Sequence, residues 1–291
     1  MRDFEYEAPA SVAEAVRVLS HHNGTARPLA GGTDLIDQIR VGRHQPALVV
    51  DIKRIPELNV LEMSTGGLRL GAAVPCYRVY NDAGLNSAYT ALVDSTRIIG
   101  GIQIQSRGSI GGNLCNAGPA ADSIPSLIAL GAKAVIAGPN GRRELPVEEF
   151  CVGPGKNALQ AGELLVELKF PARPDHSGSH YRRFIPRNEM DIAVVGVGAS
   201  VVLDAAGETI VSARIGLGAV GPTPLFAKEA SELLAGKTAG AEAYELAAAA
   251  AQKIATPIDD MRGTKEFRSH LVGVLVRRVL ETAVERARNG V

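Results

Sequence analysis

The 291-residue chain has no tryptophan and only 4 % aromatic residues, which removes the stacking platform that single-stranded nucleic acid requires. It also has no charge excess of either sign. Thirty-one lysines and arginines balance 31 aspartates and glutamates, so no net field draws DNA, RNA or an acidic membrane, and no nucleic-acid partner is expected. Cysteine is scarce: Cys76, Cys115 and Cys151 are odd in number and widely spaced. That pattern argues against a disulfide framework and lacks the closely paired thiolates of a zinc or iron-sulfur site, so each is read as a small buried thiol. The six histidines, His21, His22, His44, His176, His180 and His270, form no compact ligand set, and no metal site is expected. Long hydrophobic runs are missing too. Residues 127–138 are too few to span a bilayer and contain Lys133, and the opening MRDFEYEAPA lacks the basic start and apolar core of a secretory signal. A cytoplasmic protein is expected.

What is present alternates between helical and strand patterns. Ser11 is placed to cap a helix in which Glu14 occupies the capping-box position and Val12, Ala15, Val16 and Leu19 share one side; Gly24 ends it. A short helix at 34–41 and an apolar strand at 47–52 follow. Residues 60–73 read as two strands joined at Gly66-Gly67, 85–99 as one helix, 104–113 as turns, and 124–130 as a helix stopped by Gly131. Strands at 132–137 and 164–170 flank a hairpin turn at Asn140-Gly141. The polar run 174–179 marks a boundary or a long surface loop. Beyond it, strands at 192–203 and 209–220 and helices at 228–234, 241–254 and 267–288 predict an antiparallel sheet with helices on one side. Tyr6 and Tyr181 are assigned to packing.

Two glycine-rich segments carry the functional signal. In Leu29, Ala30, Gly31, Gly32, Thr33, Asp34 and Leu35, the paired glycines let backbone amides approach a diphosphate, and Thr33 and Asp34 add hydroxyl and capping contacts. The charge of Asp34 keeps it off phosphate. A tight strand-to-helix turn explains the same residues, and the segment is neither a Walker loop nor a GxGxxG fingerprint. The second segment runs from Gly100-Gly101 through Arg107 to Gly108, Ser109, Ile110, Gly111, Gly112 and Asn113. Ser109 and Asn113 can donate to phosphate or ribityl oxygens; Arg107 either meets phosphate or is a surface turn residue. Asp122 either accepts from ribose or adenine donors or caps the helix after it, and Ser123 is a second capping residue.

These segments, with SIGGNLCNAGPAADSIPSLIALGA, HYRRFIPRNEMDIAVVGVGA and FRSHLVGVLVRRVLETA, closely resemble the FAD-binding middle subunit of the molybdenum hydroxylases, the xanthine dehydrogenase and aerobic carbon monoxide dehydrogenase family. The resemblance implies an α+β chain: two FAD-binding α/β subdomains of the molybdenum-hydroxylase/alcohol-oxidase-like type, at 1–55 and 56–175, then a smaller antiparallel-sheet and three-helix domain at 176–291. It implies FAD contacts from Leu29, Ala30, Gly31, Gly32, Thr33, Asp34, Leu35, Ile36, Gly101, Ser109, Ile110, Gly111, Gly112, Asn113, Asp122 and Arg183, with no catalytic residue of its own. Gly118 stands where many relatives have serine, which removes a hydroxyl but preserves the turn.

By the same resemblance, electrons from substrate oxidation reach FAD from a large molybdenum-pterin subunit through a small 2Fe-2S subunit, in a dimer of heterotrimers. They leave for NAD, a quinone or another acceptor. The complex is expected in the cytoplasm, with any membrane association peripheral and made through the complex. The alternatives are a self-contained FAD-dependent oxidoreductase and a cofactor-free assembly protein. The cysteine pattern does not fit the cluster-bearing flavin subunit of the hydroxybenzoyl-CoA-reducing relative. The organic or gaseous substrate is left open, because it belongs to the molybdenum subunit.

Overall fold

In the computed structural model, which describes residues 3–22 and 24–290, the chain opens with β1 (Glu5–Glu7), α1 (Val12–His21), β2 (Ala26–Leu29), α2 (Leu35–Arg40) and β3 (Leu48–Asp51). Ser11 caps α1 by accepting from the Glu14 amide at 3.2 Å, and the Glu14 carboxylate accepts from the Ala10 amide at 2.9 Å. The buried face of α1 comprises Val12, Ala15, Val16, Val18 and Leu19. The three strands form a parallel sheet in the order β1-β3-β2. Such a sheet presents its loops for ligands at the carboxyl ends of its strands, and the first glycine segment leaves β2 there. The core under this sheet takes in Leu58, Ala73, Ala137, Leu164 and Val166 from farther along the chain.

Next come β4 (Leu61–Ser64), β5 (Gly67–Gly71), α3 (Cys76–Tyr80), α4 (Ala83–Ala88), α5 (Thr90–Thr96), α6 (Ile102–Gln105), α7 (Ile110–Cys115), α8 (Ser123–Ala129), β6 (Lys133–Gly138), β7 (Gly141–Pro146), β8 (Cys151–Gly153), β9 (Lys156–Asn157) and β10 (Leu164–Phe170). The main sheet is antiparallel, ordered β4-β5-β10-β6-β7. Three local expectations change. The helix foreseen at 85–99 is split at Tyr89, whose backbone leaves helical values while its hydroxyl donates to the Pro171 carbonyl at 2.8 Å. The segment foreseen as turns, 104–113, instead feeds two short helices, α6 and α7. The hairpin turn is Pro139-Asn140, since Gly138 and Gly141 pair across it.

The last part contains β11 (Ser177–Phe184), β12 (Val195–Leu203), β13 (Ile210–Gly218), β14 (Leu225–Phe226), α9 (Lys228–Glu232), α10 (Ala241–Ile254) and α11 (Lys265–Asn289). The strands pair antiparallel in that order. β11 was not foreseen. The sheet is also covered on both faces rather than one: α11 packs on one, and α5 and α8 of the preceding part pack on the other. β12 accordingly reads as a nearly continuous buried run instead of alternating.

Glycines make the second cover possible. A Cβ at Gly198 would lie 2.7 Å from the Pro125 carbonyl oxygen of α8, and one at Gly218 would lie 2.9 Å from the Pro125 ring, so α8 rests directly on the strands. A polar lock beside it joins α5 to β11. Thr90 Oγ1 donates to the Ser179 carbonyl at 2.5 Å, while Asp94 accepts from His180 Nδ1 and Arg286, each at 2.6 Å. Burial works to raise the Asp94 carboxyl, but the hydrogen bonds from His180 and Arg286 prevail and hold it below the usual range.

Candidate cofactor site

The chain leaves β2 at Leu29 and turns through Ala30, Gly31 and Gly32 into α2. Gly32 has φ +75°, a conformation that favours glycine. Gly31 is confined by a neighbour instead: a Cβ there would run into the backbone carbonyl of Arg107, so the two glycine segments meet at this point. The Arg107 guanidinium closes the junction, with Nε donating to the Gly31 carbonyl at 3.1 Å. Arg107 is thus an exposed residue with a specific job, tying one segment to the other. Among the described residues, the five successive amides of Gly31, Gly32, Thr33, Asp34 and Leu35 donate to no backbone or side-chain acceptor. Gly31 is buried, Gly32, Thr33 and Leu35 are half-buried and Asp34 is exposed; donors withdrawn from water without partners are costly, and a run of them suits an anion.

Asp34 does not cap α2 through its side chain, contrary to expectation. Its Oδ2 accepts from Asn116 Nδ2 instead, which ties the residue to the loop after α7. Leu29 and Ile36 lie beside Gly32.

In the second segment, Gly111 and Gly112 lie inside α7, not in a turn. Ser109 caps that helix by accepting from the Gly112 amide at 3.0 Å. A Cβ at Gly111 would lie 2.5 Å from the Ala72 carbonyl oxygen, so this glycine serves close packing against the end of β5. Ile110 is buried in the middle core. Gly108 approaches Thr33 of the first segment, and Ser123 Oγ donates to Asn113 Oδ1 at 2.5 Å. Gly101 precedes α6, and its closest neighbour from outside that turn is Met190.

Asp122 is buried and makes no capping bond to α8. Tyr181 donates its hydroxyl to Oδ1 at 2.8 Å, and Arg183 donates to Oδ2 at 2.5 Å and to the Asp191 carbonyl at 3.2 Å. Burial pushes the Asp122 carboxyl up to about 6, against the opposing pull of Arg183 and Tyr181. Sequence reasoning named Asp122 and Arg183 but left Tyr181 to packing, because nothing in linear spacing joins residues 59 apart.

The turn between α7 and α8 is held from the C-terminal sheet. Ala219 donates its amide to the Pro119 carbonyl at 2.7 Å, and the buried Arg268 of α11 donates to the carbonyls of Val194 and Ala219 while pairing with Asp260. Ala117 and Ala219 both have left-handed backbones, φ 47° and 64°, at a cost of roughly 1–2 kcal/mol each. Gly118 has open space where a Cβ would sit.

The three thiols and the Tyr6 phenol make none of these contacts. Burial pushes the thiols of Cys76 and Cys115 up to about 12 and that of Cys151 up to about 11, which keeps them protonated. Tyr6 donates to Asp51 at 2.5 Å at the edge of the first sheet. Among the described residues, no group of three His, Cys, Asp or Glu side chains is placed to hold a metal, and no helix is long and apolar enough to cross a membrane.

The geometry therefore offers a row of unbonded amides, glycines with no room for side chains, and a buried carboxylate close to the same helices. That donor set fits the diphosphate of a dinucleotide, and the one acidic residue in the row, Asp34, is turned to Asn116. Residues 2–173 match the family described as FAD binding domain in molybdopterin dehydrogenase, and residues 180–283 match the CO dehydrogenase flavoprotein C-terminal domain. The carbon monoxide dehydrogenase medium chain of Hydrogenophaga pseudoflava is 33 % identical, covering 97 % of this chain and 98 % of its own. A putative xanthine dehydrogenase FAD-binding subunit of Escherichia coli strain K12 is 31 % identical, covering 99 % of this chain and 98 % of its own. In the solved structure of reconstituted CO dehydrogenase from Oligotropha carboxidovorans, one chain superposes with TM-score 0.93 at 32 % identity, covering 98 % of this chain and 99 % of that one. The α+β architecture and the order of its parts agree with that fold, and the chain belongs to the family of FAD-binding flavoprotein subunits of the molybdopterin dehydrogenases, multisubunit oxidoreductases that include xanthine and CO dehydrogenases.

Proposed function

We propose that residues 29–36 and 109–113, together with Gly101, Asp122 and Arg183, hold one FAD, and that the chain is the electron-relay subunit of its complex. The observation that carries this is the run of five partnerless amides at 31–35, set against the Arg107 carbonyl where no side chain fits. These amides and the Ser109-capped start of α7 meet the diphosphate. Asn113, fixed by Ser123, faces ribityl oxygens, and Asp122 accepts from donors on the adenosine side. FAD, when bound, supplies a centre that takes electrons singly and releases them in pairs. The chain's own work is to bind it, orient it and set its surroundings.

The names of the relatives, medium chain and FAD-binding subunit, support an assembly in which other chains carry the substrate chemistry. We assign substrate oxidation to a large subunit with a molybdenum-pterin cofactor and transfer to a small 2Fe-2S subunit, in a cytoplasmic dimer of heterotrimers that delivers electrons to NAD, a quinone or another acceptor. The unit boundaries near 55 and 175 belong to the same proposal. Carbon monoxide and xanthine relatives stand at nearly equal identity, and the choice of substrate belongs to the subunit that oxidises it.

The test is to purify the complex gently, count FAD per chain, and add candidate substrates to the complex and to the chain alone. One FAD per chain, reduced by substrate only in the complex, is expected. A flavin-free complex overturns the cofactor assignment, and flavin reduction by the isolated chain overturns the relay role.

A further inference from the structure

The buried cluster around Asp122 is supplied from two parts of the molecule. Asp122 lies between α7 and α8, whereas its partners Tyr181 and Arg183 lie on β11. Tyr181 is 3 % exposed, its amide donates to Asp94 at 3.2 Å, and its hydroxyl is spent on Asp122. The strand register puts Tyr181 opposite Gly198 and Arg183 opposite Gly196. The ring leans along its own strand over Gly196: a Cβ at that position would lie 2.6 Å from the phenol oxygen and 3.3 Å from the carbon that bears it. Gly196 does not have positive φ, so the backbone does not require glycine there. The space required by the tyrosine does.

We propose that Tyr181, seated over Gly196, is a positioning residue that fixes the orientation and charge of Asp122 and thereby sets how tightly the chain holds FAD. This rests on Asp122 facing the cofactor. A hydroxyl donating to a carboxylate favours the charged form, which is the better acceptor for ribose or adenine donors. Burial alone drives Asp122 toward the neutral acid, and Tyr181 and Arg183 oppose it. α7, α8 and β12 carry no charged side chain, Cys115 of α7 stays protonated, and on β11 the neighbouring His180 is bonded to Asp94 rather than to Asp122. Arg187 and Asp191, in the connection after β11, pair with each other.

The experiment is FAD binding to the flavin-depleted complex, followed by flavin fluorescence between about pH 5 and 8, a window around the Asp122 value of about 6. Wild-type affinity should fall as pH drops through the Asp122 transition. In Tyr181→Phe the transition should move to higher pH, with affinity at pH 7 lower by roughly tenfold. Gly196→Ala should act in the same direction by displacing the phenol, and should cost less in the Tyr181→Phe background, where the displaced oxygen is gone. Asp122→Asn separates the two levels of inference. If it binds FAD like wild type at every pH, Asp122 does not face the cofactor. If it weakens binding and removes the transition, but Tyr181→Phe and Gly196→Ala leave the wild-type transition in place, Tyr181 only packs and the positioning role is overturned.

Discussion

The two glycine segments look alike in sequence and do different physical work. At residues 31–35 the glycines shape the turn into α2, where the amides have no partner among the described residues. At 111–112 they sit in a capped helix, where Gly111 permits contact with the Ala72 backbone. The first segment is built around what it leaves unsatisfied, the second around what it packs against. A doubled glycine therefore does not by itself identify a phosphate contact. The unbonded amides are what support one.

Substitutions can break this comparison. The largest effect is expected for Gly31→Ala, because the new methyl meets the Arg107 carbonyl and forces the segments apart. FAD affinity should fall at least about 100-fold, equivalent to roughly 3 kcal/mol, in fluorescence titrations of the flavin-depleted complex. Gly111→Ala should instead register first in stability, losing about 1–3 kcal/mol in chemical denaturation through overpacking on Ala72, with a smaller change in FAD affinity. Equal loss of flavin in both would erase the distinction. Gly118→Ser should be nearly silent, within about 0.5 kcal/mol in stability, because its Cβ enters open space. A large loss of bound flavin in that variant would mean that position 118 itself meets the cofactor.

How much of this was legible in sequence follows the range of the interactions. Ser11, Glu14 and the apolar stripe of α1 act within a few residues, and the helix is where they place it. The same holds for α10, α11 and the strands at the centre of the middle sheet. α7 was not legible, because glycine disfavours helix and only the Ser109 cap together with packing on Ala72 overrides that preference. β11 was missed because its first residues fall in the polar run 174–179, which reads as a boundary or surface loop, and the next carry His180, Arg182 and Arg183. His180 and Arg183 find their partners in Asp94 and Asp122, some 86 and 61 residues away. Helices on both faces of the last sheet were missed for a related reason: Gly198, Gly216 and Gly218 carry no hydrophobic signal, yet they seat Pro125. In the site, family resemblance named Asp122 and Arg183, while the Tyr181 hydrogen bond and the meeting of Gly31 with Arg107 needed coordinates.

The most direct measurement is amide hydrogen exchange of the flavin-depleted complex with and without FAD, resolved to residues 31–35. These amides have no acceptor among the described residues, so they should exchange freely without FAD and become strongly protected when it binds. Tight FAD binding that leaves exchange at 31–35 unchanged, while protecting a different segment, would contradict the assignment of this loop as the diphosphate cradle.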